Sequence, residues 1–126
     1  MNQDTLFFFD GRMDALPLYE AFEQRVFAEV PQATVKVQKT QISFVNRHIF
    51  ACVSFARVRR RAECPNPCIV VTFGLARRVE APRIEVATEP YPGRWTYHVV
   101  VGRAEEIDGE LLAWLRQAYE FAESKR

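Results

Sequence analysis

The sequence predicts an α+β domain in which an N-terminal helix and a C-terminal helix cover one face of a mainly antiparallel sheet of about five strands. Apolar residues recur at helical spacing near both ends of the chain. Between them they alternate with period two over residues 34–55 and 95–101 and form a near-continuous run over 69–75. Strands gathered between two helices, rather than alternating with them, favour an antiparallel sheet over a doubly wound parallel one.

The chain has 126 residues, which suits one domain over 1–126 that buries about two-thirds of its unfolded surface. Ten Phe, four Tyr and two Trp predict a bulky aromatic core. A net charge of +1 supplies no general field for nucleic acid or an anionic membrane, so neither is expected as a partner. No apolar run approaches the roughly 20 residues of a membrane span. Leu6 to Phe9 lacks a preceding basic region and is closed by Asp10, unlike a signal peptide. A cytoplasmic protein is the expectation, and three cysteines are too few for a disulfide framework.

Residues 1–10 read as a lead-in, with Leu6 to Phe9 adding an extended segment or a hydrophobic lid. The first helix is expected from Asp14, an N-cap residue, with Pro17 in its opening turn and Pro31 ending it. Its buried stripe is Ala15, Leu18, Tyr19, Phe22, Val26 and Val30. Residues 34–55 read as a hairpin, bent at Lys39, Thr40 and Gln41 and reversed at Asn46-Arg47. One face carries Val35, Val37, Ile42, Phe44, Ile49, Ala51, Val53 and Phe55; Phe50, Cys52 and Ser54 face the other way.

Arg57, Arg59, Arg60 and Arg61 form a basic cluster, read as a solvated loop because Glu63 follows and overall charge is balanced. Ile69 to Leu75 is an interior strand and Ile84 with Val86 a short one. Glu89 to Arg94 is a loop, and Trp95, Tyr97, Val99 and Val101 share one face of a last strand. Asp108 caps the final helix, whose stripe is Leu111, Trp114, Leu115, Ala118, Phe121 and Ala122. Lys125 and Arg126 complement its C-terminal dipole. The uncovered face of the sheet must be solvated, or covered by a loop or a second subunit.

Cys64 and Cys68 flank Pro-Asn-Pro, but structural zinc needs a second close pair of ligands. His48, Cys52 and His98 are scattered, so no metal and no cofactor is expected. No nucleophile elbow, phosphate-binding glycine loop or paired-acid motif is present. The remaining candidate is Tyr91-Pro-Gly-Arg-Trp-Thr-Tyr-His98. A Pro/Gly loop delivering Arg94, Trp95 and His98 to a strand makes a small pocket, with Lys39 approaching the same surface. In that reading Lys39 and Arg94 supply charge, Trp95 an apolar wall and His98 a titratable hydrogen bond. The plain alternative places Trp95 and Tyr97 in the core and Arg94 and His98 in solvent.

Residues 37–44, Arg47, Phe50-Ala51, residues 94–98, Glu106-Ile-Asp108, Trp114-Leu115 and Ala118-Tyr119 together resemble the bacterial family catalogued as domain of unknown function 5655. The resemblance spans about Phe7 to Ser124. It implies the same helix–sheet–helix domain and supplies no reaction, which suits a binding or interaction module for a small anionic ligand or a protein partner. An enzyme is the alternative, with His98 as general base oriented by Glu85 or Glu89. A homodimer paired through the open face or an edge strand is a third reading.

Overall fold

The computed structural model describes residues 3–56 and 64–124. The basic cluster Arg57, Arg59, Arg60 and Arg61, with Glu63, lies outside the described residues, as do Lys125 and Arg126. Among the described residues, three α-helices, α1 (Gln3–Phe8), α2 (Leu16–Glu29) and α3 (Gly109–Glu123), flank six strands. These are β1 (Thr34–Val37), β2 (Gln41–Val45), β3 (Ile49–Ser54), β4 (Ile69–Leu75), β5 (Ile84–Tyr91) and β6 (Arg94–Val101). They form one antiparallel sheet in the order β1-β2-β3-β4-β6-β5.

The fold class stands, with two local corrections in the first hairpin. Its first arm is two strands, because the chain reverses fully at Gln38–Thr40 and Val37 pairs with Ile42. The alternation also breaks in β3. Phe44 pairs with Ala51 but Val45 pairs with Ile49, leaving Phe50 as the extra residue of a bulge. The bulge turns Phe50 onto α3, edge to face with Tyr119 at 5.5 Å, and leaves Ile49 about half exposed.

Register then explains the core. Phe44, Ala51, Phe73 and Tyr97 form one cross-strand row, and Ile42, Val53, Val71 and Val99 the next, all buried. The stripe of α2 packs on the first row, with Phe22 at 5.5 Å and Tyr19 at 6.4 Å from the Phe44 ring. The α3 stripe packs on the same side, with Trp114 stacked on Phe73 at 5.8 Å. Both long helices therefore share one face. Strand β4 is interior, as its apolar run predicts, and is buried on its helix side throughout.

Helix starts follow local chemistry. Asp108 accepts from the Leu111 N–H at 3.0 Å, capping α3. Arg83 donates to Asp108 (2.7 Å) and to the Glu106 carbonyl (2.6 Å), tying the β5 entrance to this cap. Asp14 does not cap α2; it sits in a 3-10 turn, Met13–Ala15, that leads into the helix, with Pro17 in the opening turn. The lead-in is helical rather than extended. Thr5 and Phe9 turn inward, and Phe9 packs on Tyr19 and Phe55. Packing, not length, holds so short a helix.

At the far edge, β5 runs on through Glu89 and Pro90, which the sequence reads as loop. An edge strand tolerates Pro because its outward N–H has no ladder partner to lose. Gly93, at φ 75°, makes the turn into β6.

Candidate functional site

The four residues singled out by sequence are placed at separate points of the sheet. Lys39 lies in the β1–β2 turn, beyond the row Gln41, Ser54, Val70 and Val100. Arg94 lies at the other end of the strands, where β5 turns into β6, with its guanidinium 6.0 Å from the Tyr91 ring. With β3 and β4 between their hairpins, Lys39 and Arg94 occupy diagonally opposite corners. Trp95 and His98 stand an odd number of residues apart, so a straight strand sends them to opposite faces. Trp95 packs against the core, with the Arg78 guanidinium 5.4 Å from its ring, and His98 faces the other way. These residues do not converge on one pocket.

His98 instead closes a row across the sheet face away from the helices. Register aligns Lys36, Ser43, Cys52, Thr72 and His98 on adjacent strands. Thr72 Oγ1 lies 2.8 Å from His98 Nδ1. Partial burial lowers the His98 pKa, which favours the neutral ring. Burial raises the Cys52 thiol, opposed by its hydrogen bond with Thr72, which leaves it a poor nucleophile. Ser43 is fully buried and donates to Gln38 Oε1 (2.7 Å) while accepting from Gln41 Nε2 (2.9 Å). Within the row, hydrogen bonds link Cys52, Thr72 and His98, and among the described residues the partner of His98 is a threonine rather than a carboxylate.

One strand repeat further along, about 7 Å away, the same face drops into a cleft of about 560 Å³. Its floor is Val70 and Val100, a cross-strand pair that is almost fully buried. One wall is the Cys64–Cys68 turn, which folds against the end of β6. A Cβ on Gly102 would stand 2.6 Å from Pro65 Cγ, so only glycine lets the turn sit this close. Gly102 is itself held by its N–H donating to Glu106 Oε1 at 2.7 Å.

The opposite wall is the bend between α1 and α2. Gly11, at φ 77°, turns the chain, and the Arg12 N–H donates to the Phe9 carbonyl at 2.8 Å. Arg12 then lies over Phe55, its guanidinium carbon 4.3 Å from the ring centroid. Phe55 is fixed by stacking on Phe8 at 5.5 Å. Arg12 and Asp14 both line the mouth. Among the described residues, neither side chain makes an ion pair or a side-chain hydrogen bond. Stacking holds the guanidinium in place while leaving its donors for something else.

Cys64, Asn66 and Cys68 add polar atoms to the cleft. Among the described residues, no group of three or more His, Cys, Asp or Glu could hold a metal ion, and no helix is long and apolar enough to cross a membrane. The sequence singles out the Cys-Pro-Asn-Pro-Cys turn, but nothing local to it announces Gly102 as its seat or Arg12 as the opposite wall. Gly11, between two apolar segments, is the one local sign of that bend.

A family described as "Domain of unknown function (DUF5655)" matches residues 7–122, nearly the whole chain. No curated protein and no solved structure matches.

Proposed function

The chain belongs to the DUF5655 family, and we propose that it is a binding module whose site is the end-of-sheet cleft, taking a small organic anion without catalysing its conversion. The observation that carries this reading is Arg12, a guanidinium stacked on Phe55 at the mouth of an apolar-floored cleft, with no ion-pair or side-chain hydrogen-bond partner among the described residues. A carboxylate takes such a fork in charge-assisted hydrogen bonds. The cleft volume is in the range of small-molecule sites, and its mixture of apolar floor and a few polar groups suits an organic anion better than inorganic phosphate.

The reading as an enzyme with His98 as base has less support. Catalysis of that kind needs an orienting carboxylate, and His98 has the Thr72 hydroxyl instead. A cytoplasmic location fits a binding module of this kind and is part of the proposal, as is a bacterial source.

A thermal-shift screen with small organic carboxylates, nucleotides and divalent metals tests the proposal. A ligand at about 100 times its dissociation constant adds roughly 2.7 kcal/mol, several degrees for a domain of this size. The expected hits are carboxylates with apolar bodies, lost in Arg12→Ala and retained in Arg94→Ala. Hits lost in Arg94→Ala and retained in Arg12→Ala would move the site to the β5–β6 turn and overturn the proposal.

A further inference from the structure

We infer that the ligand of the cleft is a zwitterion, an amino carboxylate with a large apolar side chain. This rests on the cleft being the binding site and names its chemistry. Three features of the cleft point the same way. Arg12 offers, at the mouth, a guanidinium with no ion-pair or side-chain hydrogen-bond partner among the described residues. Asp14, two residues on in the same wall, offers a carboxylate with no ion-pair or hydrogen-bond partner among the described residues. The floor is Val70 and Val100, with Phe55 beside it.

A monocarboxylate would satisfy Arg12 but would bring its own charge near the Asp14 carboxylate, and like charges so placed repel. An amine alone would satisfy Asp14 and meet the guanidinium. Only a molecule with both charges pairs each group with its opposite. The backbone places the two residues in one turn, which the Ala15 N–H closes by donating to the Arg12 carbonyl at 3.0 Å. The apolar body then lies in the cleft beside Phe55, above the already buried valine pair, so the space it fills has an apolar floor. A cleft of about 560 Å³ leaves room for an aromatic or branched side chain. Recognition by two opposite charges gives specificity by exclusion as well as attraction: each singly charged analogue leaves one cleft group facing its like.

The test is isothermal titration of the intact chain with phenylalanine, 3-phenylpropanoate and 2-phenylethylamine, which share one ring and differ only in charge. Phenylalanine is expected to bind at least about tenfold more tightly than 3-phenylpropanoate, with 2-phenylethylamine weakest. Asp14→Asn should erase the preference for phenylalanine over 3-phenylpropanoate. Arg12→Gln should weaken both. Asp14 is exposed, so an unchanged melting temperature of unliganded Asp14→Asn separates lost recognition from lost folding. If 3-phenylpropanoate binds as tightly as phenylalanine, the zwitterion inference fails and the organic-anion reading stands. If none of the three binds, both fail.

Discussion

The two faces of the sheet are built from the same strands but do different work. On the helix side, the row Phe44, Ala51, Phe73 and Tyr97 is sealed by aromatic rings from α2 and α3. On the other side, one residue along, the row Ser43, Cys52, Thr72 and His98 carries polar groups, with Thr72 bonding both Cys52 and His98 and Ser43 bonding Gln38 and Gln41. A period-two strand lets stability be placed on one face and chemistry on the other without compromise between them. The cleft lies where the second face runs out, with its walls supplied by loops rather than by strands. Loops on a rigid scaffold are where binding groups are most often found.

Phe73 and Thr72 are neighbours on opposite faces and test this contrast most severely. Phe73→Ala should cost about 3–5 kcal/mol, because Trp114 and Tyr97 both lose a ring contact and a cavity opens. Thr72→Ala should cost about 1 kcal/mol, the net worth of a hydrogen bond. Urea denaturation of both variants measures this, and equal losses would mean the second face is as structural as the first.

Gly102→Ala sharpens the account of the cleft wall. Its Cβ would stand 2.6 Å from Pro65, and overpacking of this kind costs about 1–3 kcal/mol. Pro65→Gly, which removes both the Cγ and the Cβ that stand within 2.7 Å, should relieve most of that cost in the double variant, giving a large coupling energy in a double-mutant cycle. Independent effects of the two changes would show that the turn does not rest on Gly102.

Asp108→Ala should cost about 0.5–2 kcal/mol through the lost α3 cap. Burial pushes the Asp108 carboxyl up, but the Leu111 N–H and the Arg83 hydrogen bond and charge outweigh it, so its pKa lies below the ordinary 3.8. The unfolded chain then takes up this proton first on acidification. The stabilisation is present above the ordinary value and lost as pH falls through the folded one. Acid titration of the melting temperature should show a shallower fall in the variant over that window.

His98 gives the smallest effect, of the same sign for a different reason. Burial holds its pKa below 6.5, so the unfolded chain binds a proton before the folded one does. Stability from this group is full above pH 6.5 and falls as pH drops through the folded value. His98→Gln should flatten the stability profile in that interval, and an unchanged profile would mean that the ring is solvated in the folded protein.

The contrast between the faces also explains what could be read from residue order alone. The α2 and α3 stripes, the interior run at Ile69–Leu75 and the alternation in β6 each follow from local periodicity. The β3 bulge was hidden because Phe50 is placed by Tyr119, far along the chain. Pro90 masked β5, since whether a proline interrupts a strand depends on its being at an edge, which is a property of the sheet. His98 was visible as a titratable residue, but its setting is Thr72, on a strand 26 residues earlier. The cleft was least legible. Gly11, Phe55, Pro65 and Gly102 come from four separate stretches, and only tertiary packing assembles them.

Amide chemical-shift mapping during titration with phenylalanine locates the binding site on the sheet. Perturbations are expected at Gly11, Arg12, Phe55, Cys68, Val70 and Val100, with the signals of Lys39 and Arg94 unmoved. Perturbations centred on the Lys39 turn or on Tyr91 and Arg94, with the cleft silent, would contradict binding in the cleft.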